Sequence, residues 1–319
     1  MSVLVFLESS EGQIKKSALE ALVFAGHIAS HEQSQIVGVV FGQPSNLTEA
    51  GTYGAARILN ITDSRFSAMD AQAFAEALAG AARHAGSNTV VLAKSALADS
   101  VMAKLASMLD ATAATNVVAQ PDFSNGFSVK RSIFTGKAFE NVKLTASHKV
   151  ISVKKNEVAM VENPAAGTIE EFTPSLSAKA FAIKSLATDK TTGEVLLSDA
   201  EIVVSGGRGL KGPENWGMVT DMAKILGAAT GCSKPVSDLH WRPHHEHVGQ
   251  TGIKVSPNLY VAIGISGAIQ HVAGISSSKV IVAINKDADA PIFKVATYGI
   301  VGDAFDVVPK LTDALKSAI

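Results

Sequence analysis

Strand-length apolar runs and helix-period segments alternate along the first half of the chain. Val3–Leu7, Ile36–Phe41 and Thr89–Leu92 are the short runs, and Lys16–Ala29, Ala71–His84 and Ser100–Leu109 lie around them with apolar positions three and four apart. In Ala71–His84 the stripe is Phe74, Leu78 and Ala81, so one helix face is apolar and fit for packing. This order predicts a mostly parallel sheet flanked by helices.

From about Phe123 to Val158 the pattern changes to short alternating segments, Ser128–Ile133 and Val142–Ser147, broken by Asn125-Gly126 and Thr135-Gly136. Alternation with turn residues between predicts an antiparallel extension of the sheet. The stretch from Glu162 to Glu194 mixes Pro164, Gly167, Pro174 and Gly193 with polar residues and reads as an interdomain connection. The expected boundary lies near residue 190, giving an N-terminal α/β domain over 1–189 and a C-terminal domain over 190–319.

The second domain starts with the apolar strand Glu201–Val204, passes through Gly206-Gly207-Arg208-Gly209, and enters a helix on which Trp216, Val219, Ala223 and Leu226 share a face. Leu259–Ile263, a turn of small residues, Val280–Ile284 and a closing helix with Phe305, Val308, Leu311 and Leu315 inward follow. The fold class is therefore α/β, with a doubly wound, Rossmann-like second domain.

Composition narrows the function classes. The chain has 319 residues, 47% of them hydrophobic, enough to bury two cores. Its 28 basic and 29 acidic residues leave a net charge of −1, so no overall field recruits nucleic acid or an anionic membrane. Aromatic residues make up only 6%, too few for a base-stacking surface. No stretch approaches the uncharged apolar length that spans a bilayer, so membrane insertion is not expected. A single cysteine, Cys232, excludes an intrachain disulfide framework and suits a reducing compartment. Met1–Glu8 enters an apolar run without a basic leader or an Arg-rich transit pattern, which points to a bacterial cytoplasm or a trimmed chain of the mitochondrial matrix.

Candidate chemistry concentrates in the second domain. The glycines after Val204 sit where backbone N–H groups can hold a phosphate, and Arg208 adds a guanidinium suited to an anion. A tight turn of purely structural purpose has the same sequence. Tyr260–Ile263 ends in Gly264-Ile265-Ser266-Gly267, which opens a helix with Gln270 and His271 in its first turn and Ser266 as a candidate cap and ligand contact. Between these turns lies the polar loop Trp241-Arg242-Pro243-His244-His245-Glu246-His247. Imidazole and carboxylate are metal ligands, but the spacing matches no recognised ligand pattern and no metal is expected. A Gly-x-Ser-x-Gly elbow, a Cys-His motif and a Walker lysine are all missing, which argues against hydrolase and P-loop chemistry. The Gly-x-Gly-x-x-Gly fingerprint is missing as well, which argues against an NAD(P)-dependent dehydrogenase.

The segment Tyr260-Val-Ala-Ile-Gly-Ile-Ser-Gly-Ala-Ile-Gln-His271 closely resembles the signature of electron-transfer flavoprotein α subunits. Val204–Leu210, Val248-Gly-Gln-Thr-Gly252, Ile281–Asp287, Ala290–Phe293 and Tyr298–Asp303 join it in the family's order. The resemblance covers nearly all of residues 201–319 and is looser before them. It implies one FAD in the C-terminal domain, with Arg208, Ser233 and the loop Val248, Gly249, Gln250, Thr251 around the flavin side. Gly264, Ser266, Gly267, Ala268, Ile269, Gln270 and His271 then clasp the middle. Asn285 and Asp303 hold the adenosine part, with Ala304 beside them. In the family the threonine hydroxyl faces flavin N5 and the histidine sits near the N1–C2=O edge, where negative charge collects on one-electron reduction.

Lys234 stands where the family commonly stacks an arginine on the flavin. Lysine keeps the charge and loses the planar surface. Either Lys234 acts as a point charge or Arg242 folds over the ring. The resemblance further implies a β subunit that carries AMP and completes a heterodimer, with the N-terminal domain as scaffold and interface. Electrons would come from dehydrogenases such as acyl-CoA dehydrogenases and leave to an acceptor such as an electron-transfer-flavoprotein quinone oxidoreductase, without substrate turnover on this chain. The alternative is an NAD(P)-dependent or bifurcating flavin oxidoreductase that uses the same crevice.

Overall fold

The structure is a computed structural model and describes residues 1–183, 186 and 196–318. The expected boundary near residue 190 lies outside the described residues. The chain divides into two compact units, one comprising Met1–Ile133 and Ala138–Thr188, the other Phe134–Lys137 and Asp189–Ile319.

The first unit is built on β1 (Ser2–Phe6), α1 (Lys16–Glu32), β2 (Gln35–Phe41), β3 (Ala55–Ile61), α2 (Ala71–Ala85), β4 (Ser87–Ala93), α3 (Ala96–Met108), β5 (Ala111–Val117), β6 (Ser128–Ile133), β7 (Ala138–Lys143), β8 (His148–Val153) and β9 (Thr168–Glu171). They form a nine-stranded sheet in the order β9-β3-β2-β1-β4-β8-β5-β6-β7. All pairs are parallel except β5–β6 and β6–β7, the antiparallel extension. Alternation along β1 explains why the centre is apolar throughout: Val3, Val5 and Leu7 pack with α1 on one face, Leu4 and Phe6 with α2 and α3 on the other. Each such side chain contributes about 1.5–3 kcal/mol on burial. Asp70 accepts from the amides of Gln72 and Ala73 to start α2, and Gly86, at φ 63°, ends it.

Two readings of this unit are corrected. Glu162–Glu194 is not only a connection, because Thr168–Glu171 forms the edge strand β9, paired parallel to β3 and tied there by Arg57 and Glu170, with Nη2 to Oε2 at 2.7 Å. The expected strand Val142–Ser147 is displaced, since β7 closes at Lys143 after pairing Ser128 with Lys143 and Ile133 with Ala138.

The second unit carries β10 (Ile202–Gly206), α4 (Gly217–Leu226), β11 (Ala229–Cys232), α5 (Lys234–Asp238), β12 (Leu259–Ile263), α6 (Ile269–Ile275), β13 (Val280–Asn285), β14 (Tyr298–Val301) and α7 (Ala304–Ala318). Its five strands are all parallel, in the order β11-β10-β12-β13-β14. The chain runs from β10 to β11 on one side and then returns to β12 on the other, so the strand order reverses between β10 and β12. A crevice opens at such a reversal, outside the carboxyl ends of the strands. Two cores hold the sheet: Val203, Tyr260, Ala262 and Ala283 on one face, and Val204, Val261, Ile263 and Ile284 with Trp216, Val219 and Val308 on the other. Among the described residues no helix is long and apolar enough to cross a membrane.

Candidate functional site

A cleft of about 810 Å³ lies at the carboxyl ends of the second unit's strands. Every strand of the sheet supplies part of its wall: Arg208 follows β10, Ser233 and Lys234 follow β11, Gly264 to Ala268 follow β12, Asn285 closes β13, and Asp303 and Ala304 follow β14. The volume falls within the roughly 300–1,000 Å³ typical of ligand and cofactor pockets.

Of the residues expected at the site, Arg208, Ser233, Lys234, Val248, Thr251, Gly264, Ser266, Gly267, Ala268, Gln270, His271, Asn285, Asp303 and Ala304 line this cleft. Gly249, Gln250 and Ile269 do not. Gly249 is pressed behind the wall, where a Cβ on Gly274 would meet its Cα at 2.5 Å. The Gln250 amide donates to the Gln270 carbonyl at 2.8 Å, which joins the two loops, and the Ile269 side chain is exposed. Lys211, Asp238, His247 and Lys286 also line the cleft and were not expected there. His247 stands in the polar loop and Lys286 in the Ile281–Asp287 motif, whereas no motif singles out Lys211 or Asp238.

The glycines at the crossing have a packing role instead of the expected phosphate role. The Gly207 amide donates to the Ile263 carbonyl and the Gly209 amide to the Gly264 carbonyl at 3.0 Å, so neither N–H is free for an anion. A Cβ on Gly207 would lie 2.2 Å from the Gly264 oxygen, and one on Gly209 2.8 Å from the Gly264 Cα. Two 3₁₀ turns, Arg208–Leu210 and Pro213–Asn215, separate this loop from α4, which also removes the helix terminus from it. Arg208 itself remains on the wall with no ion-pair partner among the described residues.

The turn after β12 is held from outside. Asn285 donates from Nδ2 to the Ile265 carbonyl at 2.9 Å, and the Ser266 carbonyl accepts from the Ile292 amide. Ser266 does not cap α6. Gly267, at φ 84°, turns the chain once more, and the capping position falls on Ala268, which has no side chain to accept. Asp303 caps α7 through the Phe305 amide at 3.0 Å and faces Lys211 at 3.8 Å.

His271 is buried in the wall. Its Nε2 lies 3.0 Å from the Tyr260 hydroxyl, and its Nδ1 has no partner of hydrogen-bond geometry among the described residues. Burial pushes the imidazole down to about 4, the Val248 backbone acts the other way, and the neighbouring His247 lowers it further. At neutral pH His271 is therefore a neutral ring. Complete burial drives the Tyr260 phenol above its ordinary range, so it keeps its proton, and its hydroxyl shares one hydrogen bond with Nε2.

Lys234 and Arg242 are placed differently. Arg242 Nε lies 2.9 and 3.0 Å from the two Glu246 carboxylate oxygens, and its guanidinium sits 5.5 Å from the Trp216 ring centre. It does not line the cleft. Lys234 is on the wall, with Nζ 2.8 and 2.9 Å from the Asp238 carboxylate. Among the described residues no three His, Cys, Asp or Glu side chains converge as metal ligands.

A parallel doubly wound sheet with a cleft at its switch point, basic and hydroxyl groups on the wall and backbone crossing points left bare of side chains defines a nucleotide-cofactor-binding unit. The chain matches the electron transfer flavoprotein domain over residues 3–177 and the electron transfer flavoprotein FAD-binding domain over residues 196–276. It is 36% identical to the electron transfer flavoprotein subunit alpha of Bacillus subtilis, over 98% of this chain and 97% of the relative. Against the subunit alpha of Syntrophomonas wolfei it is 37% identical over 98% of both chains, and against that of Paracoccus denitrificans 35% over 99% and 100%. The chain belongs to the electron transfer flavoprotein α-subunit family, and its second unit is the family's FAD-binding domain. It is an electron carrier by class. The wall fits FAD on its own evidence: a buried imidazole nitrogen without a protein partner, an uncommitted guanidinium, and backbone bared at the mouth.

Proposed function

We propose that the cleft holds one FAD and that the chain works as the α subunit of a heterodimer. A β subunit carrying AMP completes it, and the first unit of this chain serves as scaffold and interface. Electrons arrive from dehydrogenases such as acyl-CoA dehydrogenases and leave to an acceptor such as a quinone oxidoreductase. The flavin, when bound, supplies the one-electron chemistry, and no substrate is turned over on this chain. The working compartment is the bacterial cytoplasm, in keeping with the buried, reduced Cys232.

The protein's own residues have separable tasks. Arg208 offers an uncommitted guanidinium to anionic oxygen, and the Ser233 and Thr251 hydroxyls orient polar edges. His271 is kept neutral, so it meets developing negative charge as a hydrogen-bonding ring and not as a fixed cation. Ser266 to Gln270, pinned by Asn285 and Ile292, form a rigid brace along the middle of the ligand.

The observation that carries this reading is the convergence of residues from all five strand ends on a single cleft that contains the buried His271. Purification of the chain co-expressed with its partner tests it. The expected result is a yellow heterodimer with one FAD per chain and one AMP, whereas a colourless heterodimer, or steady NADH turnover by the isolated chain, contradicts it.

A further inference from the structure

The segment from α5 to Thr251 carries two permanent cations, of which only Lys234 lines the cleft, and both are engaged. Lys234 is paired with Asp238, and Arg242 is held by Glu246 beneath Trp216. His247, 4% exposed, is on the wall as well. Its place is built from the backbone. The Val248 amide donates to the Cys232 carbonyl at 2.9 Å and the Ile253 amide to the His247 carbonyl at 2.7 Å. A Cβ on Gly252 would lie 2.7 Å from Nδ1, and one on Gly249 3.2 Å from Nε2, so these glycines make room for the ring. Neither ring nitrogen has a hydrogen-bond partner among the described residues.

We infer that His247 is a proton-accepting residue for the electron-transfer reaction, staying neutral while the cleft is neutral and taking one proton from solvent when one electron arrives there from the donor dehydrogenase. The inference rests on the placement of FAD in this cleft. An N–H bond forms on the imidazole as an O–H bond of hydronium in the solvent breaks and leaves water, and the added positive charge balances the added electron. Lys234, at the place where the family commonly has a guanidinium, is already paired with Asp238, which leaves His247 as the group on this wall whose charge can respond.

The surroundings set the direction. Burial, His244 and Lys234 hold the His247 imidazole below its ordinary value, with Asp238 acting against them. His244 stands 5.6 Å away between ring centres, Lys234 and Asp238 face it from α5, and His271 faces it from α6. Cys232, on β11, is pushed up to about 12 by burial and the Glu246 charge and stays protonated. Negative charge entering a cleft so poised raises the proton affinity of His247, because it opposes the same repulsions that depress it.

Potentiometry of the FAD-loaded heterodimer from pH 5.5 to 8 tests this. In the unaltered protein the equilibrium for the first electron should weaken as pH rises, by up to about tenfold per unit for one coupled proton. His247→Gln should retain its FAD and lose this dependence. His244→Gln removes a neighbour that disfavours the charged ring, so it should move the dependent range to higher pH. Proton uptake by the unaltered protein on one-electron reduction at pH 7, read with an indicator dye while the spectrum shows the flavin itself unprotonated, gives a measure free of variants. A pH-independent wild type, an unchanged dependence in His247→Gln, no shift in His244→Gln, or dependence abolished only by His271→Asn each overturns the inference. A colourless wild-type heterodimer instead refutes the placement of FAD, so the two failures are distinguishable.

Discussion

Gly207→Ala is the sharpest probe of how the cleft is made. Gly207 has φ −114° and ψ 178°, a conformation open to any residue, so the backbone itself tolerates alanine. The new methyl is the problem. It would lie 2.2 Å from the Gly264 oxygen, 2.6 Å from the Gly264 carbonyl carbon and 2.8 Å from the Ile265 Cα, all backbone atoms that no rotamer change can move. Restoring ordinary contact requires the ends of β10 and β12 to separate by about 1 Å, with an overpacking cost of about 1–3 kcal/mol. That separation also strains the bonds from Gly207 to Ile263 and from Gly209 to Gly264, each contributing about 1 kcal/mol. The expected loss is about 3–5 kcal/mol in the second unit. Trp216 and Trp241, the chain's two tryptophans, both lie there, so their fluorescence during urea unfolding reports that unit. FAD retained after gel filtration reports the cleft, because Gly264 is on its wall. Gly217→Ala is the control, since a Cβ there meets nothing within 4 Å and should change stability by less than about 1 kcal/mol. A Gly207→Ala protein that unfolds at the control's midpoint and keeps its FAD would refute the reasoning.

Other perturbations separate structural from cofactor-facing roles. Arg242→Ala leaves Glu246, 2% exposed, without its partner and should cost about 3–5 kcal/mol by urea unfolding. The flavin spectrum of the folded fraction should stay as it was, and an altered spectrum at unaltered stability would place Arg242 on the ring after all. Tyr260→Phe removes the hydrogen-bond partner of His271 Nε2, with a net cost of about 1 kcal/mol. Nitrogen NMR of the labelled histidine should show its tautomer population change, and an unchanged spectrum would contradict the hydrogen bond between the two side chains. Because folding lowers the His271 pKa from 6.5 to about 4, the folded state binds fewer protons there than the unfolded state. Its contribution is complete above pH 6.5 and is lost as pH falls toward 4, on the order of 3 kcal/mol. His271→Asn should flatten stability across that window, and an equally steep decline in the variant would disprove the attribution.

The legible parts of the fold were those with local signals. The apolar runs of β1, β2 and β4 and the stripe of α2 follow from period alone. β9 was hidden because Thr168–Glu171 has no apolar alternation and exists as a strand only through its parallel partner β3 and the Arg57–Glu170 pair. β5 has no strong local signal for a similar reason, since five of the seven residues of Ala111–Val117 are alanine or threonine and the strand gains its place from pairing with β8. At the site, the Gly264–His271 motif was visible as contiguous residues, whereas His247 reaches the wall only through the long-range pairing of Cys232 with His247. The polar loop therefore looked like a solvated or metal-binding cluster. The glycines after β10 misled in the opposite direction, because their sequence does not reveal that the neighbouring strand already accepts their amide protons.

The most direct test of the central claim is an electron-density map of the purified heterodimer. The account predicts a flavin dinucleotide across the crossing of Gly207 and Gly264, with the isoalloxazine beside Thr251 and His271. A cleft without flavin density in a yellow protein, or one holding a nicotinamide, would contradict it.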